Sequence, residues 1–215
     1  MKMKMLLSSS LLIALVLEPG SASSRGSGFL SHKETRHEEI RRIIAEWYPA
    51  EASKYTHFSQ LQKTQQRLLQ IAKESPESRN DVIDALLKTL EEPRVRAFGG
   101  YRELWLLVCD SLGKLRATRA IDTLVELLDA DDGITGIPVE NRPAVMALIQ
   151  IGEPAVGKLA TVVVAPNSSR KTRMRAAEAL AEIGSPTAIA ALKRALETEK
   201  DDGVRKFIRV YLRGR

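Results

Sequence analysis

The stretch from Arg170 to Thr198, RKTRMRAAEALAEIGSPTAIAALKRALET, sets two helical apolar periodicities on either side of a three-residue break, Gly184-Ser185-Pro186. Before the break Met174, Ala177, Leu180, Ala181 and Ile183 share one face; after it Ile189, Leu192, Ala195 and Leu196 do the same, with Lys and Glu filling the opposite faces. Gly184 suits a helix C-terminus because, lacking Cβ, it takes positive φ without a clash. Pro186 suits the first turn of the next helix, where an N–H has no intrahelical acceptor. Two short amphipathic helices joined this tightly cannot bury both apolar stripes on each other, so the unit requires neighbours of its own kind.

The sequence supplies them. Placing Leu115, Ile151 and Ile183 in register superposes LRATRAI, IGEPAV and IGSPTAI at intervals of 36 and 32 residues, within or near the range of helical solenoid repeats. Each hinge sits between two apolar runs: Leu104, Trp105, Val108, Cys109, Leu112 and Leu115 before Ile121, Leu124, Val125, Leu127 and Leu128; then Val145 to Ile151 before Ala155 to Val164. A further pair is expected upstream, from Phe58 to Lys73 and, after a break at Ser75-Pro76, through Val82, Ile83, Leu86, Leu87 and Leu90. Ahead of it a helix beginning near Ser31 to Thr35 carries Ile40, Ile43, Ile44 and Trp47 as one stripe and stops at Pro49, so it caps the start. A last helix from Val204 to Leu212 presents Val204, Phe207, Ile208 and Tyr211 and closes the other end. The Gly- and Pro-rich segment from Asp131 to Pro143 is a loop inserted between pairs. The expected fold is thus all-α, with about four helix pairs and a flanking helix at each end, spanning 33–215.

The N-terminal 22 residues have the layout of a secretory signal peptide: two lysines, an apolar run from Met5 to Leu17 interrupted by Ser8 to Ser10, the breaker Pro19-Gly20, and small residues before a cleavage point after Ala22. That run falls short of the roughly 20 residues a spanning helix needs, which makes an uncleaved anchor the alternative. Residues 23–32 then form a flexible linker, and the mature chain is expected to be exported to a periplasmic or extracellular space. Cys109 is the single cysteine, on an apolar helical face, so no disulfide can form within the chain and the thiol is expected to pack as a small hydrophobe. All three histidines, His32, His37 and His57, lie in the N-terminal quarter, far in sequence from Cys109.

Two segments resemble a known family. AAEALAEIGSPTAIAALKRAL, Ala176 to Leu196, and SLGKLRATRAIDTLVELL, Ser111 to Leu128, are similar to HEAT repeats of the short type found in phycobilisome-lyase-like HEAT proteins. The resemblance implies a right-handed α-α superhelix, with the second helix of each pair lining a concave face, and a scaffold that binds a protein or peptide. The alternative it implies is an enzyme, or enzyme accessory, of the lyase-like class. Chromophore attachment in that class belongs to the cytoplasm or stroma, which sits poorly with an export leader.

Charge is uneven. Ser23 to Pro166 holds 19 Lys and Arg against 20 Asp and Glu, whereas Asn167 to Arg215 holds 12 against 6. Arg170, Lys171, Arg173 and Arg175 crowd one helix start, where cations oppose the macrodipole at about a few tenths of a kcal/mol each. Arg205, Lys206, Arg209, Arg213 and Arg215 crowd the last helix. These clusters are the candidate binding residues, read either as a solvated end of the stack or as a site for an anionic surface, polymer or protein. The aromatics among them, Phe207 and Tyr211, have core spacing, which argues against nucleic acid. His37-Glu38 reads as a surface turn rather than a metal ligand pair. No glycine-rich phosphate loop, GxSxG or CxxC occurs, so no cofactor is expected. Asn167-Ser168-Ser169 matches an N-glycosylation acceptor. The face formed by Asp84, Lys88, Asp122, Glu126, Lys158 and Lys193 discriminates the two functional readings: scattered mixed charge favours binding, and a deep pocket with converging polar groups favours catalysis.

Overall fold

The computed structural model describes residues 32–47, 54–92, 95, 102–129 and 142–213. The leader, nearly all of the linker, most of the loop expected at 131–143, and Arg215 lie outside them. Among the described residues there are ten α-helices and no strand: α1 (His32–Ala45), α2 (Lys54–Ile71), α3 (Pro76–Glu91), α4 (Arg102–Lys114), α5 (Ile121–Glu126), α6 (Pro143–Ile151), α7 (Glu153–Val163), α8 (Arg170–Ile183), α9 (Pro186–Thr198) and α10 (Asp202–Arg213). A 3-10 turn, Thr118–Ala120, leads into α5.

Three residues among those described have positive φ: Arg116 at 43°, Gly152 at 77° and Gly184 at 64°. Each follows one of the superposed residues Leu115, Ile151 and Ile183. The register read from apolar spacing is therefore the register in which the backbone turns. Glycine takes this conformation at no steric cost; Arg116 takes it against a penalty of roughly 1–2 kcal/mol. The first hinge turns differently. Ser75 caps α3 by accepting a hydrogen bond from the Ser78 N–H (3.1 Å), with Pro76 in the first turn. Ser185 caps α9 in the same way through the Ala188 N–H (3.2 Å), with Pro186 following.

The pairs stack in sequence. The first helices α2, α4, α6, α8 and α10 each pack on the next, the second helices α5, α7 and α9 form a parallel series, and α1 covers α2 and α3. Apolar residues from α1 to α10 join in one core, including Trp47, Leu61, Leu86, Leu112, Leu124, Leu148, Leu180 and Ile208. Trp47 also donates its indole N–H to Thr64, fastening α1 to α2. Gly113 lets α4 approach α6 closely, since a Cβ there would stand 3.0 Å from the Ala147 Cα. Neighbouring hinges are tied as well: Arg79 donates to the Leu115 carbonyl, and Thr187 donates to Glu153. Hydrogen bonds from Ser185 and Thr187 hold the Glu153 carboxyl below its ordinary pKa.

Two elements differ in detail from the expectation. The second helix of the second pair is short, ending at Glu126, and Leu127 and Leu128 are buried in the turn beyond it. The closing helix α10 packs on α8 as α8 packs on α6, so it occupies the place of the first helix of a fifth pair.

Candidate functional site

The second helices carry the six residues of the discriminating face. Asp84 and Lys88 stand on α3, Asp122 and Glu126 on α5, Lys158 on α7 and Lys193 on α9, and all six are exposed. Two ion pairs cross between neighbouring units: Arg119 to Asp84 at 2.7 Å and Lys158 to Asp122 at 2.6 Å. These are solvated pairs, worth little to stability, and they leave the surface electrically mixed. At its N-terminal end His37, Ile40, Arg41, Asp84, Ala85 and Lys88 border a shallow cavity of about 440 Å³ together with Asp81. Asp81 receives Arg36 at 2.6 Å and His37 Nε2 at 2.9 Å. Burial acts to raise its pKa, but the hydrogen bonds from His37 and Arg36 outweigh it and the group is held below its ordinary value. His37 therefore belongs to an α1–α3 contact. Cys109 is fully buried in the core.

The two basic clusters have different fates. In the first, Arg170 is surface-exposed and pairs with Asp201 at 3.1 Å, while Lys171 Nζ donates to the Asp129 carbonyl at 2.8 Å. Arg173 turns inward, with Nε 2.9 Å from Glu199 and Nη1 donating to the Ser168 carbonyl at 2.7 Å. Arg175 is buried and reaches Glu178 at 3.2 Å. The cations at the α8 N-terminus are thus offset locally by acids that the chain returns to that end. Asp201 also caps α10. Hydrogen bonds from the Val204 and Gly203 N–H groups, against a smaller opposing effect of burial and with help from Arg170 and Arg173, hold its carboxyl below the ordinary range.

In the second cluster, Lys206, Arg209 and Arg213 are exposed, and Arg205 is half-buried. Helices α8 and α10 run side by side in the same direction, shown by Arg170 meeting Asp201 and Glu178 meeting Tyr211. Arg170 therefore lies beside the first turn of α10. Arg173 and Arg175 contribute little to the outer surface, because their guanidinium groups are held by Glu199 and Glu178. Phe207 and Tyr211 pack on each other with ring centroids 4.9 Å apart and are partly buried against the core.

The sequence reading missed the buried charge group at Glu178. Glu178 is 3% exposed, and its carboxylate accepts from Arg142 of the α6 N-terminus, Arg175 of α8 and Tyr211 of α10, so one side chain joins three successive first helices. Burial, together with the Glu178 charge and hydrogen bond, pushes the Tyr211 hydroxyl up to about 12. A signal was present: Glu178 sits inside AAEALA, among alanines packed too closely to leave a carboxylate in solvent.

Stacked helix pairs sharing one core and turned by recurring hinges define an α-solenoid of the helical-repeat class. Residues 138–212 match the family model of HEAT repeats, and residues 110–130 match that of the PBS lyase HEAT-like repeat. The chain thus carries HEAT repeats over these segments, and all three positive-φ hinges lie inside them. None of the curated proteins matches it. No helix among the described residues is long and apolar enough to cross a membrane.

Proposed function

We propose that the protein is a non-enzymatic interaction module, acting after export, that presents the exposed surface of its second helices to a protein or peptide partner. The observation that carries this reading is the run of solvent-exposed, mixed charge from Asp84 on α3 to Lys193 on α9, spread over the second helices of four successive pairs. A surface of this kind matches an extended partner of alternating charge better than it matches a small substrate, which needs an enclosing cavity with a few converging groups. HEAT repeats commonly serve as scaffolds, and the signal-like leader supports an exported setting.

The test is affinity capture of the mature chain from its own compartment, compared with a variant carrying Lys88→Glu, Glu126→Lys and Lys193→Glu. These three make no ion pair among the described residues, so their reversal leaves the fold intact, as circular dichroism would verify. Proteins captured by the natural chain and lost with the variant support the reading; an unchanged set of captured proteins opposes it. Export is checked separately by fusing residues 1–24 to a reporter, which should cross the membrane and lose the leader.

A further inference from the structure

We propose that the outer face of α10 is a docking ledge for an acidic amphipathic helix of a partner protein, separate from the second-helix surface. Helix α10 has two opposite sides. Val204 and Ile208 are buried, and Phe207, Tyr211 and Leu212 are partly buried against the core. Lys206, Arg209, Val210 and Arg213 recur at i, i+3, i+4 and i+7 and are all exposed, which places them in one stripe on the other side. Every earlier first helix is covered, in the direction of chain progress, by the next first helix. On α10 nothing among the described residues takes that place.

The character of the stripe determines what fits. Lys206, Arg209 and Arg213 make no ion pair among the described residues, whereas Arg170, Arg173 and Arg175 are paired with Asp201, Glu199 and Glu178. Three of the exposed cations of the C-terminal part are therefore gathered in one stripe on α10. Asp202, one turn before Lys206, is the single carboxylate on that face of the helix. In the midst of the cations Val210 is 61% exposed, more than the other exposed large apolar residue, Val164, at 41%. Cations spaced along a helix around one apolar residue are complemented by carboxylates at the same helical spacing around an apolar residue of the partner. A helix matches the i, i+3, i+4 and i+7 spacing of the stripe along its length, which makes a helix the occupant.

Two other anionic partners fit less well. A lipid surface holds an amphipathic helix by taking up its apolar face, but the large apolar side chains of α10 are turned into the stack and only Val210 remains outside. Single-stranded nucleic acid is gripped by aromatic stacking as well as charge, and Phe207 and Tyr211 are occupied with each other.

The experiment titrates the full mature chain into a fluorescent, helix-stapled synthetic peptide that carries glutamates at i, i+3 and i+7 around a central leucine. A scrambled peptide of the same composition is the control. Saturable binding at low salt is expected, weakened at least about tenfold by scrambling and falling steeply as salt shortens the screening length to about 8 Å at physiological ionic strength. Lys206→Glu combined with Arg213→Glu should abolish it, and Val210→Asp alone should weaken it, with circular dichroism unchanged in both. The second-helix variant Lys88→Glu/Glu126→Lys/Lys193→Glu should bind the peptide as the natural chain does, which keeps this result independent of the proposed function. The inference is overturned if the natural chain shows no saturable binding below about 1 mM, or if the scrambled peptide binds equally. It is also overturned if either α10 variant binds undiminished, or if phosphatidylserine vesicles or a single-stranded oligonucleotide bind more tightly than the ordered peptide.

Discussion

Replacing Glu178 by Gln keeps the side-chain shape and removes the one negative charge shared by Arg142, Arg175 and Tyr211. Arg142 and Arg175 are 7% and 9% exposed, so both guanidinium groups lose their common counter-charge in a region water reaches poorly. Breaking a buried ion pair by removing one partner typically costs about 3–5 kcal/mol. The amide oxygen of Gln still accepts one hydrogen bond, which places the expected loss near the lower end, about 3 kcal/mol. With a urea dependence of about 2 kcal/mol per molar, the denaturation midpoint should fall by about 1.5 M. Circular dichroism in urea reads this directly. The companion change Arg142→Met/Arg175→Met/Glu178→Met removes all three charges at once, and should be close to neutral or stabilising, because the desolvation of those three charges goes with their attraction. A midpoint shift for Glu178→Gln below about 0.5 M, or a triple Met variant as damaged as the single one, would refute the view that this carboxylate neutralises a buried pair of cations.

Three further outcomes follow from the same geometry. Because the Tyr211 pKa is raised to about 12 in the folded chain against an ordinary value of 10, its contribution to stability is complete below pH 10 and is lost as pH climbs toward 12; Tyr211→Phe should remove that part of the alkaline loss, seen as the difference between the two chains' stability-against-pH curves. Leu180→Ala and Leu124→Ala, both at fully buried positions, should each cost about 2–5 kcal/mol through lost burial and the cavity left behind, and a melting temperature unchanged within about a degree would contradict the pairing of helices at that site. Arg116→Gly should stabilise by up to about 1 kcal/mol by relieving a left-handed backbone, whereas Gly184→Ala, at φ 64°, should destabilise by about the same amount; equal signs for the two in chemical denaturation would mean that the hinges are not equivalent.

The hinges were legible because they depend on local chemistry. Apolar register located Leu115-Arg116 as the counterpart of Ile151-Gly152 and Ile183-Gly184 even though one of the three lacks the glycine, since core spacing on both sides leaves the chain no other place to turn. The first pair was legible from its two apolar runs and the break at Ser75-Pro76 between them, a helix cap followed by a residue suited to a first turn. The charged residues were far less readable. Arg170, Lys171, Arg173 and Arg175 look like one surface cluster along the sequence, yet helical geometry points them in different directions, and the groups that receive them are the Asp129 backbone carbonyl, the Glu199 and Asp201 carboxylates in other turns, and Glu178 within α8. The partner of Glu178 in the preceding unit, Arg142, lies 36 residues away. Long-range charge pairing of that kind leaves no periodic trace, whereas the apolar stripe of α10 did, and its opposite face followed from it.

The measurement that tests the central reading most directly is hydrogen exchange of the mature chain, alone and saturated with the partner recovered by affinity capture. An interaction module that works through its second helices predicts added protection on α3, α5, α7 and α9, around Lys88, Asp122, Lys158 and Lys193, with the first helices α4, α6 and α8 unchanged. Protection confined to the hinges or to the first helices, with the second helices exchanging as in the free chain, would contradict it.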